Sequence, residues 1–139
     1  MFEIQQLDHL VIRVRNLETM VQFYCEVVGC SMDKRNEDLG LAHLRAGKSM
    51  IDLISVDGKL GLAGGKAPEN EGHNLDHLCL RIEPFDLASL LAHLQKHRVE
   101  ASALYHNYGA EGYGPSLYIR DPEGNTIEFK GAPDPQSEN

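Results

Sequence analysis

One passage occurs twice in this chain and limits what it can fold into. LDHLVIRV (Leu7–Val14) and LDHLCLRI (Leu75–Ile82) share length, hydrophobic pattern and an arginine at the seventh place. Each alternates as a half-buried strand does. The elements after each copy repeat as well. Behind the first, Asn16 is placed to cap a helix in which Met20, Phe23, Tyr24, Val27 and Val28 recur at helical spacing, ending at Gly29. Strands are then predicted at 31–35, 40–46 and 49–56. Behind the second, Asp86 caps a helix with a Leu87, Leu90, Leu91 and Leu94 stripe, and strands are predicted at 100–105, 116–121 and 125–130. The final strands also rhyme, MIDLISV (Met50–Val56) against TIEFKG (Thr126–Gly131).

The expected fold is therefore α+β, with two tandem βαβββ modules forming a curved mixed sheet within a single domain. Module one covers 5–57, a linker loop 58–73, module two 74–131, and a frayed tail 132–139. The linker, rich in glycine and charge, reads as mobile. A net charge of −8 argues against nucleic acid and anionic membranes as partners, since both select basic surfaces. No apolar run approaches the roughly 20 residues of a membrane span. MFEIQQLDHL lacks the features of a signal peptide, and three cysteines do not make a disulfide framework, so the cytoplasm is the expected compartment.

The repeat also duplicates chemistry. Each copy places a histidine at the start of its first strand, His9 or His77, and a carboxylate on its last, Asp52 or Glu128. A single strand histidine is usually structural. Two at equivalent places, each with an equivalent acid, suit a divalent first-row cation better, and the acids within IDL and IEF need a counter-charge if buried.

These residues carry a resemblance. DHLVIRV with the following FYCEVVG, then DHLCLRI, then SLYIRDPEGNTIEF resemble the vicinal oxygen chelate superfamily, with the glyoxalase I-like branch nearest. The superfamily also includes bleomycin-resistance proteins, fosfomycin thiol transferases and extradiol dioxygenases. The resemblance covers Leu7 to Gly131 and implies paired modules curled around one metal (nickel, zinc, manganese or iron) held by His9, Asp52, His77 and Glu128. It implies metal-dependent isomerisation of a thiol–aldehyde adduct, as in lactoylglutathione lyase, with Glu128 moving the proton and Asp52 as its opposite number. Arg13, on the same face as His9, and Tyr118 are the implied substrate contacts, with glutathione or another thiol as co-substrate. A homodimer is implied as well.

Two departures keep alternatives open. Asp52 is one methylene shorter than the glutamate of glyoxalase I, so a three-ligand set of His9, His77 and Glu128 stands beside the four-ligand one. The segment SVDGKLGLAGG lacks the glutathione-contacting pattern. Thiol transferase, extradiol dioxygenase and non-catalytic ligand binder are the rival readings. Cys79 shares a face with His77, and HNYGAEGYGPS reads as a glycine-rich loop able to close over a substrate. His93 and His97 are expected to face solvent, and no partner is assigned to His43, His73 or His106.

Overall fold

The computed structural model describes residues 1–135, which divide into two compact units, Met1–Asn74 and the chain from Leu75 onward. The first contains strands β1 (His9–Val14), β2 (Ser31–Asn36), β3 (Leu41–Ala46) and β4 (Ser49–Ser55), in the spatial order β1-β4-β3-β2. β1 runs parallel to β4 while the other pairs are antiparallel. A parallel pair needs a long crossover, supplied by helix α1 (Leu17–Phe23) and the two strands after it. Asn16 Oδ1 accepts from Thr19 N at 3.0 Å, so the predicted cap is in place. The helix widens into a π-helical turn, Tyr24–Val28, and closes at Gly29, whose φ of 98° suits glycine. Ile12, Val14, Met20, Tyr24, Leu44, Ile51 and Leu53 form the core of this unit.

The second unit repeats the plan. β5 (Leu78–Arg81), helix α2 (Leu87–Lys96), β6 (Tyr105–Gly109), β7 (Gly112–Arg120) and β8 (Thr126–Lys130) give the order β5-β8-β7-β6. Its buried side chains include Leu78, Leu94, Leu117, Ile119, Ile127 and Phe129. Asp86 caps α2 by accepting from Ser89 N. The DPEGN turn is pinned by Asp121, whose Oδ1 accepts from Glu123 N at 2.9 Å and Asn125 N at 3.0 Å. The two units are therefore both βαβββ, and each holds a four-stranded mixed sheet.

Three local expectations change. The strand predicted at 100–105 begins only at Tyr105, and HNYGAEGYGPS is the β6–β7 hairpin, turning at Ala110–Glu111, rather than a loop. Its glycines resemble loop signals, but they make room: a Cβ on Gly109 would stand 2.5 Å from Lys130 Cε. The linker is not free of the first unit, because Arg13 donates to the carbonyls of Gly61 at 3.2 Å, Gly65 at 2.6 Å and Lys66 at 3.1 Å. Arg15 adds Pro68 O at 2.8 Å. The tail expected to fray from 132 is held as far as Asp134, whose N–H donates to Tyr113 O at 2.8 Å and whose carboxylate meets His106. Residues 136–139 lie outside the described ones. His93 and His97 are half-buried, with ring centroids 4.7 Å apart.

Candidate metal and substrate site

Strand register explains why the repeated residues matter. In the first unit Val11 on β1 stands opposite Asp52 on β4; in the second, Cys79 on β5 stands opposite Glu128 on β8. His9 and His77 lie two residues before Val11 and Cys79, so each shares a sheet face with its carboxylate. The neighbour on the other side of the acid is His43 in the first unit and Tyr118 in the second.

The Asp–His pair of each LDHL motif has a definite geometry. His9 Nδ1 lies 2.8 Å from Asp8 Oδ2, and His77 Nδ1 lies 2.7 Å from Asp76 Oδ2. A carboxylate only accepts, so Nδ1 carries the proton, and in the neutral ring Nε2 keeps its lone pair. The Asp8 contact raises the His9 pKa, burial opposes the rise, and the Asp52 carboxylate adds to it.

His77 meets a second carboxylate: its Nε2 lies 3.2 Å from Glu128 Oε1. A neutral imidazole has one N–H, so two acceptors at its two nitrogens call for another positive charge, either a proton or a metal ion. Two donors bound to one small divalent ion at about 2.1 Å sit roughly 3 Å apart, which the observed separation matches. The donor chemistry of the second unit therefore fits a divalent ion. Among the described residues, however, no three His, Cys, Asp or Glu side chains gather into a set able to hold one unaided.

Glu128 is only 5% exposed and well supplied with donors. Ser116 Oγ donates to Oε2 at 2.6 Å and Asn107 Nδ2 at 3.3 Å. Burial alone would push its carboxyl pKa up, but Ser116, Asn107 and the His77 imidazole outweigh that and hold it below the ordinary value. Tyr118 stands edge-on to His77, with ring centroids 5.8 Å apart, and its hydroxyl accepts from Asn107 Nδ2 at 3.0 Å. Burial, then the Glu128 carboxylate, raise the Tyr118 pKa, so it remains a phenol. Cys79 faces solvent, yet partial burial and the Glu128 carboxylate push its thiol up to about 11, which disfavours a nucleophilic role.

In the first unit Asp52, 6% exposed, is engaged by His43, whose Nδ1 lies 2.8 Å from Oδ1. Arg13 directs its donors at the carbonyls of Gly61, Gly65 and Lys66 in the linker. A cavity of about 290 Å³ opens in the second unit, bounded by His77, Cys79, Arg81, Glu128, Lys130 and the hairpin tip. Each unit thus carries its own histidine–carboxylate pair, His77 beside Glu128 in one and His9 near Asp52 in the other. No sequence signal singles out His43, Asn107, Ser116 or Lys130 as members of the site. Asp8 and Asp76 are visible within the repeat itself.

Known proteins share this organisation. Residues 6–129 match the model of the Glyoxalase/Bleomycin resistance protein/Dioxygenase superfamily. A catechol-2,3-dioxygenase from Bacillus subtilis (strain 168) is 28% identical over 124 residues; these are 88% of this chain and 40% of that protein, so the chain spans well under half its relative's length. An integron cassette protein from the mobile metagenome of V. cholerae has 26% identity and a TM-score of 0.73, over 94% of this chain and 98% of that one. Lactoylglutathione lyase from Agrobacterium tumefaciens has the same fold at 18% identity and a TM-score of 0.65, over 92% of this chain and 94% of that one. The repeated βαβββ plan, the equivalent His–carboxylate register and the match over nearly the whole chain lead to one conclusion: the protein belongs to the glyoxalase/bleomycin resistance/dioxygenase superfamily, the vicinal oxygen chelate family.

Proposed function

We propose that this protein is a divalent-metal enzyme acting on a small substrate that presents two adjacent oxygens, with His9, His77 and Glu128 as protein ligands. The observation that carries this reading is His77, flanked by carboxylates at both ring nitrogens, 2.7 Å to Asp76 and 3.2 Å to Glu128. Asp76, and Asp8 in the other unit, hold the tautomer that presents Nε2, as carboxylate partners of metal-bound histidines do. Bound there, the ion supplies Lewis acidity and orients vicinal oxygens. Ser116 and Asn107 keep Glu128 anionic, which suits a persistent ligand. A homodimer remains part of the proposal by resemblance.

Two reaction classes fit this arrangement. With Asp52 engaged by His43, a set of two histidines and one carboxylate resembles non-haem iron(II) oxygenase sites, and the catechol-2,3-dioxygenase relative supports that direction. The second reading is isomerisation of a thiol–aldehyde adduct, favoured by the His43–Asp52 pair itself, which can move a proton between neighbouring carbons. Tyr118 remains a proposed substrate contact, and Arg13 is kept as one by resemblance alone, since its guanidinium holds the linker carbonyls.

The test is elemental analysis of tag-free wild type beside His77→Ala, then turnover assays with catechol under iron(II) and with methylglyoxal plus glutathione under nickel or zinc. About one ion per chain, lost in the variant, is expected. Ring cleavage alone selects the oxygenase reading, and lactoyl thioester formation alone selects the isomerase. A wild type that takes up no added metal overturns both.

A further inference from the structure

Lys130 is 6% exposed, far from where lysine usually ends. Its stem runs beneath the β6–β7 hairpin in a slot kept open by glycine: a Cβ on Gly109 would meet Cε at 2.5 Å, and one on Gly114 would meet Nζ at 3.1 Å. Nζ donates to Asn107 O at 2.8 Å, and no carboxylate of the described residues forms an ion pair with it. An ammonium has three donors, and this buried one has a single neutral acceptor and no carboxylate in contact, Glu128 two residues earlier on β8 lining the same cavity without pairing with it.

The neighbouring cation differs. Arg81, across from Lys130 on β5, is neutralised by Glu111 at 2.8 Å and Glu83 at 3.2 Å. Both cations line the 290 Å³ cavity that also holds His77 and Glu128. The first unit has nothing comparable, because Ile54 stands opposite Arg13 where Lys130 stands opposite Arg81. The duplication kept the arginine in both copies and placed a lysine in only one.

We infer that Lys130 is an anion-binding subsite of the second-unit cavity, and that the ligand is a small organic acid whose carboxylate sits against Nζ. The carboxylate supplies a counter-charge in contact with Nζ, and Tyr108 and the hairpin tip bound the remaining space. The adjacent-oxygen half of the ligand rests on the proposed function, but the carboxylate contact does not.

The experiment titrates the full-length protein, treated with chelator, with catechol and with 3,4-dihydroxybenzoate, which differ only in the carboxylate. Calorimetry gives the affinities, and amide NMR shifts locate the ligand. Wild type is expected to bind the acid about tenfold more tightly, as a charge-assisted hydrogen bond allows, with shifts at Gly109 and Gly131. Lys130→Met, which keeps the stem, loses that preference, and Lys130→Arg retains part of it. Equal affinities in wild type, or shifts that avoid the hairpin and Gly131, overturn the inference even if the variants do not fold. A carboxylate preference in a protein that takes up no metal leaves the subsite standing and removes the metal-enzyme reading. Metal uptake without the preference does the reverse.

Discussion

His43 and Asp52 face each other across antiparallel strands with Nδ1 2.8 Å from Oδ1, and they hold the only acid in the core of the β1–β4 sheet among the described residues. A carboxylate this buried needs a donor. His43→Leu removes it, and a loss of about 1–3 kcal/mol in urea unfolding is expected. Asp52→Asn, which removes the charge but keeps an acceptor, costs less. A loss below about 0.5 kcal/mol in His43→Leu would show that solvent serves Asp52 instead.

Glu128 links the second unit to pH. Its folded pKa is lowered, so its ionised form contributes stability that is present above the unfolded value of 4.5 and lost as pH falls through the lower folded one. In metal-free protein, Glu128→Gln is expected to flatten the decline of unfolding free energy between about pH 5 and pH 3. Parallel curves for wild type and variant contradict the assignment.

Cys79 is accessible but slow to ionise, its thiol pushed up to about 11 by partial burial and then by Glu128. In chelator, iodoacetamide labelling at Cys79 is expected to rise about tenfold from pH 8 to pH 9, following the thiolate fraction. Glu128→Gln speeds labelling at pH 8. Peptide mass spectrometry separates Cys79 from Cys30, which burial pushes up to about 12. A rate already level by pH 9 rejects the account.

Gly61 tests whether the linker is docked rather than mobile. A Cβ there would come within 1.7 Å of Ser55 O and 2.6 Å of Ser55 C, and backbone cannot swing aside as a side chain can. Gly61→Ala is expected to cost more than about 2 kcal/mol by thermal unfolding, whereas alanine at Gly58, with its nearest contact at 3.0 Å, costs less. Equal melting temperatures for Gly61→Ala and wild type would mean the segment leaves the sheet.

The helices and most strands are legible in the sequence because their signals are local. Asn16 and Asp86 cap where short-range chemistry puts them, and the DPEGN turn carries its own hydrogen-bonding aspartate. The β6–β7 hairpin is not legible in the same way. Glycine marks a loop when read alone, and only the passage of Lys130 beneath Gly109 and Gly114 shows why a strand should carry it. Arg13 shares the face of His9, which points to a substrate contact, yet its donors go to carbonyls about fifty positions away, which no local pattern encodes.

Sequence alone determined that the chain has two βαβββ halves and that His9, Asp52, His77 and Glu128 occupy equivalent places. Periodicity and caps are properties of neighbouring residues, and an internal repeat is read by comparing two stretches of the chain, so none of them needs coordinates. Tertiary structure alone decided the partners: His43 for Asp52, Ser116 and Asn107 for Glu128, and a glycine slot with one carbonyl for Lys130. Those pairings depend on cross-strand register, and a shift of one residue would turn each side chain to the opposite face of its sheet.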